Sequence, residues 1–338
     1  MNKSPLALII YMSGTLFVST LSAPVLANEK VSTPVAVQKT FDGSIQNNSL
    51  AISPDEKMAV VSYSARKDIA VYDLEKGELR QVINGFITPR NIVFAPDGSS
   101  FYVSDSSKGT VERIDSASLK VTHTFSTGPG SFGTALSKDG KTLWINNQAG
   151  NTVTRLNTDS GLAETVITGF SQPRQGVKLS PDGRTLYVTN FLGDKITAVD
   201  TSANKITGEI KGFSKIRAIS VSQDGKTLYA ANSGSDTIAV VDLPKQKIIR
   251  TVEVGKNPYG AALSPDGKFI YSGNLTGNSL SVIDVASLNV TTTIKGFNEP
   301  RQALVFTKDG NYLWVLNKDL SLSKVDRREQ KVVATIKE

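Results

Sequence analysis

The sequence predicts an all-β protein, a seven-bladed β-propeller of four-stranded antiparallel blades. Three observations carry this. A short turn motif recurs seven times, as SPDEK at 53–57, APDGS at 95–99, SKDGK at 137–141, SPDGR at 180–184, SQDGK at 222–226, SPDGK at 264–268 and TKDGN at 307–311. Its aspartates, Asp55, Asp97, Asp139, Asp182, Asp224, Asp266 and Asp309, are separated by 42, 42, 43, 42, 42 and 43 residues. Runs of β-branched and aromatic residues flank every copy, and no long stretch beyond the N-terminus has helical periodicity.

Each element of the repeat follows from its chemistry. Asp-Gly is hairpin-turn chemistry, because Gly accepts positive φ and Asp bonds its own backbone. A short apolar strand precedes the turn, as in Asn91-Ile92-Val93-Phe94 or Ala261-Ala262-Leu263. A β-rich strand follows it, as in Phe101-Tyr102-Val103, Leu143-Trp144-Ile145 and Leu186-Tyr187-Val188. The third strand reads like Thr237 to Asp242 and the fourth like Lys247 to Val252. Four strands in about 42 residues make one propeller blade, which buries its faces only by stacking on neighbours. An open solenoid would need polar capping repeats at both ends, and a closed ring removes that need. Two segments compete to complete blade seven: Lys331 to Ile336 at the C-terminus, and Val35 to Phe41 (VAVQKTF) near the N-terminus.

Composition narrows the function classes. With 39% apolar and 20% charged residues the chain is globular in character, and 38 Lys and Arg against 31 Asp and Glu leave a formal charge of +7. That balance permits anionic partners without demanding them. There is no cysteine, so disulfides, thiolate nucleophiles and Cys-ligated zinc are excluded. Lys3, the apolar run Leu6 to Leu21 and Val25-Leu26-Ala27 read as a signal peptide cleaved after Ala27. The expected organisation is a leader at 1–27, an N-terminal segment at 28–42 and one propeller domain at 43–338, located in a periplasm and soluble and monomeric after cleavage.

The loops leading into the first strands define one mouth of the central channel. Four carry Gly-Phe followed by Arg: GFITPR at 85–90, GFSQPR at 169–174, GFSKIR at 212–217 and GFNEPR at 296–301. Two are shorter and end in an aromatic, GPGSF at 128–132 and GKNPY at 255–259. Around the ring the residue before each first strand is Asn48, Arg90, Phe132, Arg174, Arg217, Tyr259 and Arg301. Guanidinium forks bind phosphate or carboxylate and aromatic faces accept bases, so Arg90, Arg174, Arg217, Arg301, Phe132 and Tyr259 are the candidate ligand-binding residues. The same arginines would equally serve to fasten neighbouring blades. Phe86, Phe170, Phe213 and Phe297 read as inter-blade packing.

Other chemistry is sparse. His123 is the single histidine and lies in an outer fourth strand, which removes most Ser-His and His-metal schemes. The Asp-Gly turns lack the dense carboxylate set that calcium requires. No phosphate-cradling Gly loop, nucleotide fingerprint or catalytic serine motif is present, so neither a cofactor nor a metal is expected.

Tyr187-Val188-Thr189-Asn190 spells YVTN, with degenerate copies at Tyr102 to Asp105, Trp144 to Asn147, Tyr229 to Asn232, Tyr271 to Asn274 and Trp314 to Asn317. Together with the preceding turn motif this resembles the YVTN-repeat β-propeller family, including its YncE-like periplasmic members. The resemblance spans essentially the whole chain after the leader. It implies a seven-bladed periplasmic propeller without known catalysis and, for YncE-like members, binding of single-stranded DNA. The repeated Asn is read as structural, an Asx turn at the end of the second strand. The expected function is therefore a non-enzymatic propeller that holds an anionic ligand, either single-stranded DNA or a small anion, at the Arg-aromatic mouth. A lactonase-like hydrolase and an envelope scaffold for a protein partner are the alternatives.

Overall fold

A computed structural model describes residues 45–338. The expected leader and the Val35 to Phe41 segment lie outside the described residues. The chain from Asn48 onward forms seven four-stranded sheets, each built from four consecutive strands in simple antiparallel order, arranged in a ring. The blades span 48–84, 89–126, 131–168, 173–211, 216–253, 262–295 and 304–336. Blade seven takes its fourth strand from Lys331–Ile336, which pairs with Leu322–Asp326. All four of its strands are thus contiguous in sequence.

Each turn motif is built as its residues dictate. In blade four Asp182 Oδ1 accepts from the Ser180 hydroxyl at 2.6 Å and the Arg184 amide at 3.1 Å, while Ser180 Oγ accepts from the Thr185 amide at 2.9 Å. The Asp therefore closes an Asx turn and the Ser pins the next strand. In blade one the glycine position is Glu56, held at φ 63°.

The core is a ring of seven layers between blades. The second and third strands supply most of it, and one cluster fills each interface. Val60, Val71, Phe86 and Phe101 join blades one and two. Trp144, Phe170 and Val188 join three and four, Ile196, Phe213 and Leu228 join four and five, and Val282, Phe297 and Leu313 join six and seven. The four Gly-Phe aromatics are thus inter-blade packing, all buried. The ring closes through Val61, Tyr72, Trp314, Leu322 and Ile336 between blades one and seven. His123 stands on the exposed outer strand Val121–Ser126, stacked on Phe125 with ring centroids 6.0 Å apart.

Candidate functional site

The mouth residues are placed by a repeated inter-blade clip. A polar side chain on the second strand of one blade donates to the carbonyl of the next blade's mouth residue: Ser62 Oγ to Arg90 O at 2.8 Å, Ser104 Oγ to Phe132 O at 2.5 Å, and Asn146 Nδ2 to Arg174 O at 2.7 Å. Between blades six and seven the position is Gly273, where a Cβ would lie 2.2 Å from the Arg301 carbonyl oxygen, so the backbones approach directly. In blades one to five the mouth residue lies within the inner strand. Tyr259 and Arg301 precede shortened inner strands, Ala262–Leu263 and Leu304–Phe306.

The repeated Asn has the structural role expected of it, with a different partner. Asn190 Oδ1 accepts from the Ser171 amide at 2.8 Å, and Nδ2 donates to Thr197 Oγ1 at 2.9 Å. Asn317 accepts from the Asn298 amide at 3.0 Å, and Asp105 takes the same role toward Ile87 at 2.6 Å and Thr88 at 3.1 Å. Each side chain therefore fixes the Gly-Phe loop that carries its blade's mouth arginine.

The four arginines divide into two pairs. Arg90 is fully buried; its Nε donates to Ser106 Oγ at 2.8 Å and its Nη1 to Asn47 Oδ1 at 2.6 Å and to the Ile45 carbonyl. Arg301 is also buried and donates to the Gln46 carbonyl at 2.9 Å. Both thus hold the segment entering blade one. Arg174 and Arg217, with Phe132 and Tyr259, line a small hollow of about 30 Å³ at the mouth, space for roughly one water.

These side chains stack in sequence. The guanidinium carbon of Arg174 lies 3.6 Å from the centroid of Phe191, and that of Arg217 lies 4.8 Å from the same ring and 4.4 Å from Tyr259. Arg301 follows at 5.3 Å from Tyr259, and Arg90 stands 4.5 Å from Phe132. Cation and π face alternate around most of the opening. Phe191 was not among the candidates read from the sequence. It follows the YVTN Asn, where other blades carry Ser64, Ser106, Gln148, Ser233, Leu275 and Lys318.

Arg217 is held by Ser233 Oγ at 2.9 Å, and among the described residues no carboxylate forms an ion pair with it. Burial pushes its guanidinium below the ordinary value; Tyr259 and, more weakly, Asp194 oppose this and Arg301 adds to it. A largely buried positive charge without an ion-pairing carboxylate, and with a second cation nearby, is relieved by a bound anion. Beside it runs a groove of about 430 Å³ lined by Lys215, Tyr259 and Lys256, the last ion-paired to Asp236 at 2.8 Å, among others.

The comparisons bear on the fold. A family model described as "Lactonase, 7-bladed beta-propeller" matches residues 84–215, from the end of blade one through blade four. No curated protein matches the chain. Among solved structures, the chain is similar to Kuenenia stuttgartiensis hydrazine synthase, with a TM-score of 0.66 and 20% identity over 74% of this chain and 86% of that one. At that identity the likeness is one of architecture. The seven-bladed propeller is where the sequence repeat, the sheet order and both matches agree.

Proposed function

We propose that this protein is a non-enzymatic, YncE-like periplasmic binding propeller. Its ligand is an anion bearing planar groups, foremost single-stranded DNA, held across the Arg174–Phe191–Arg217–Tyr259 stack. The observation that carries this reading is the position of Arg217 between two aromatic rings without an ion-pairing carboxylate among the described residues. Phosphates would meet the guanidinium edges and the groove lysines, and bases would meet the exposed parts of the rings. The hollow at the mouth is too small to engulf a ligand, so contact is along the rim and the adjoining groove. The +7 formal charge favours the encounter.

The test is binding of labelled single-stranded DNA across a salt series by the wild type and by Arg174→Ala/Arg217→Ala. Saturable binding that weakens with salt and is lost in the folded double variant supports the reading. Each phosphate contact removed lowers the log–log salt slope by about 0.7. Absence of wild-type binding at low salt overturns the DNA assignment.

The family-model match over 84–215 favours a second reading, a lactonase-like hydrolase. In it the mouth arginines position an anionic sugar lactone and a carboxylate activates water. Among the residues lining the mouth hollow and the channel beneath it there is neither Asp nor Glu. Hydrolysis of gluconolactone above the uncatalysed rate, with metal supplied, would establish this reading against the first.

A further inference from the structure

The channel beneath the mouth is a separate compartment. Gln175, on the inner strand of blade four, accepts from Asn47 Nδ2 at 2.9 Å and donates through Nε2 to Asn91 Oδ1 of blade two. Asn91 is in turn fixed through Nδ2 to Thr134 Oγ1 at 2.7 Å. The Gln175 side chain thus reaches across to the opposite blades and forms a polar bar under the arginines. Below the bar lies a cavity of about 400 Å³, with Val93, Ala262, Val305 and Phe306 in its wall.

Four residues before its turn aspartate, each inner strand has an equivalent position. Six blades place Ala51, Val93, Ala135, Ser220, Ala262 and Val305 there, and blade four places Lys178. Lys178 is the one charged residue among those lining the cavity. Its side chain is exposed to the lumen and ringed by the channel wall; burial pushes its ammonium down from the ordinary value, with no neighbouring charge opposing this. The wall mixes aliphatic and polar groups, and Lys178 is its one charge with no carboxylate among the lining residues, so an anion entering the lumen meets its counter-charge there.

We propose that this lumen binds a small monocarboxylate with an apolar tail. The carboxylate is held by Lys178 Nζ, and the tail lies against Val93, Ala262, Val305 and Phe306. Entry is from the face carrying the Asp-Gly turns, where Lys178 also borders a wider cavity of about 630 Å³. The site lies on the other side of the Gln175 bar from the arginine stack and does not depend on the mouth binding anything.

Calorimetry with hexanoate, and with hexanamide as its uncharged counterpart, tests this on the purified protein. The expected result is one hexanoate per chain, hexanamide weaker by about tenfold or more, and a similar loss of hexanoate affinity in Lys178→Met. Lys178 faces the lumen with no carboxylate beside it, so the Lys178→Met variant should melt close to the wild type and its loss of binding would not be a folding defect. A second readout is the NMR signal of methylated Lys178, assigned by its absence in that variant, which should move on hexanoate addition. Saturating single-stranded DNA should leave hexanoate affinity unchanged. No hexanoate binding at millimolar concentration, or equal binding by Lys178→Met, overturns the proposal.

Discussion

The hydroxyl of Tyr72, in blade one, donates at 3.0 Å to the carbonyl oxygen of Leu320, in blade seven. Leu320 is buried and holds a left-handed backbone at φ 65°, a conformation that costs a leucine about 1 kcal/mol. This pair closes the ring across its seam. Every strand of blade seven comes from the C-terminal repeat, so among the described residues no exchanged strand latches the ring. The seam instead relies on the core between blades one and seven and on a few polar contacts: Gln302 Nε2 to the Asn48 carbonyl at 2.6 Å, the Lys308 amide to Glu56 Oε1 at 2.5 Å, and the Arg66–Glu338 ion pair at 2.5 Å.

Tyr72→Phe removes the hydroxyl and leaves a buried carbonyl unpaired, so it should cost about 1–3 kcal/mol. Hydrogen exchange read blade by blade should quicken most in blade seven. Uniform acceleration in all blades would mean that the ring opens as one unit and that the seam is no weaker than any other interface.

Arg90 and Arg217 occupy equivalent positions in their blades and should answer mutation differently. Arg90→Ala removes hydrogen bonds to Ser106, Asn47 and Ile45 from a fully buried site and should destabilise by about 3 kcal/mol. Arg217→Ala loses one hydrogen bond, to Ser233, so its melting temperature should change little while affinity for single-stranded DNA falls. Thermal melts alongside binding isotherms separate the two effects.

Acid should weaken the propeller through its turns. Hydrogen bonds from the Ser or Thr hydroxyl and from nearby backbone amides hold the carboxyls of Asp55, Asp97, Asp139, Asp182, Asp224 and Asp309 below the usual carboxylate value; at Asp266 these bonds and Arg327 outweigh burial. A lowered folded-state value means the unfolded chain binds protons first as pH falls. The stabilisation is therefore fully present above the ordinary carboxylate range and is lost progressively below it. Melting temperature should be flat from neutral pH to about 5 and fall below about 4. Replacing Asp182 by Asn should shallow that fall.

The repeat made the architecture legible because one turn needs Asp in every blade, with Gly and a preceding hydroxyl at fixed spacing in six blades each; Glu56 and Ala95 are the exceptions. The mouth was legible only in part. Arg174, Arg217, Phe132 and Tyr259 share one hollow, as their common register suggests, yet that register says nothing of which arginine is buried. Arg90 and Arg301 are drawn inward by the carbonyls of Ile45 and Gln46, in a segment outside the repeat. Phe191 and Lys178 stand where other blades carry different residue types, so a periodic reading passes over them. Their significance depends on neighbours across the ring, and sequence spacing does not encode those.

Phe191 gives the sharpest test of the stack. Its ring lies against both Arg174 and Arg217, and its removal leaves two like charges without the face that separates them. If bases bind by stacking at the mouth, Phe191→Ala should lose about 1–3 kcal/mol of affinity, roughly ten- to a hundredfold, at every salt concentration. The salt slope should stay near the wild-type value, because no phosphate contact is lost. Phe191→Tyr keeps the ring and should bind nearly as well as the wild type. An alanine variant with wild-type affinity would reduce the ring to a spacer between guanidinium groups and leave phosphate contacts alone to hold the strand.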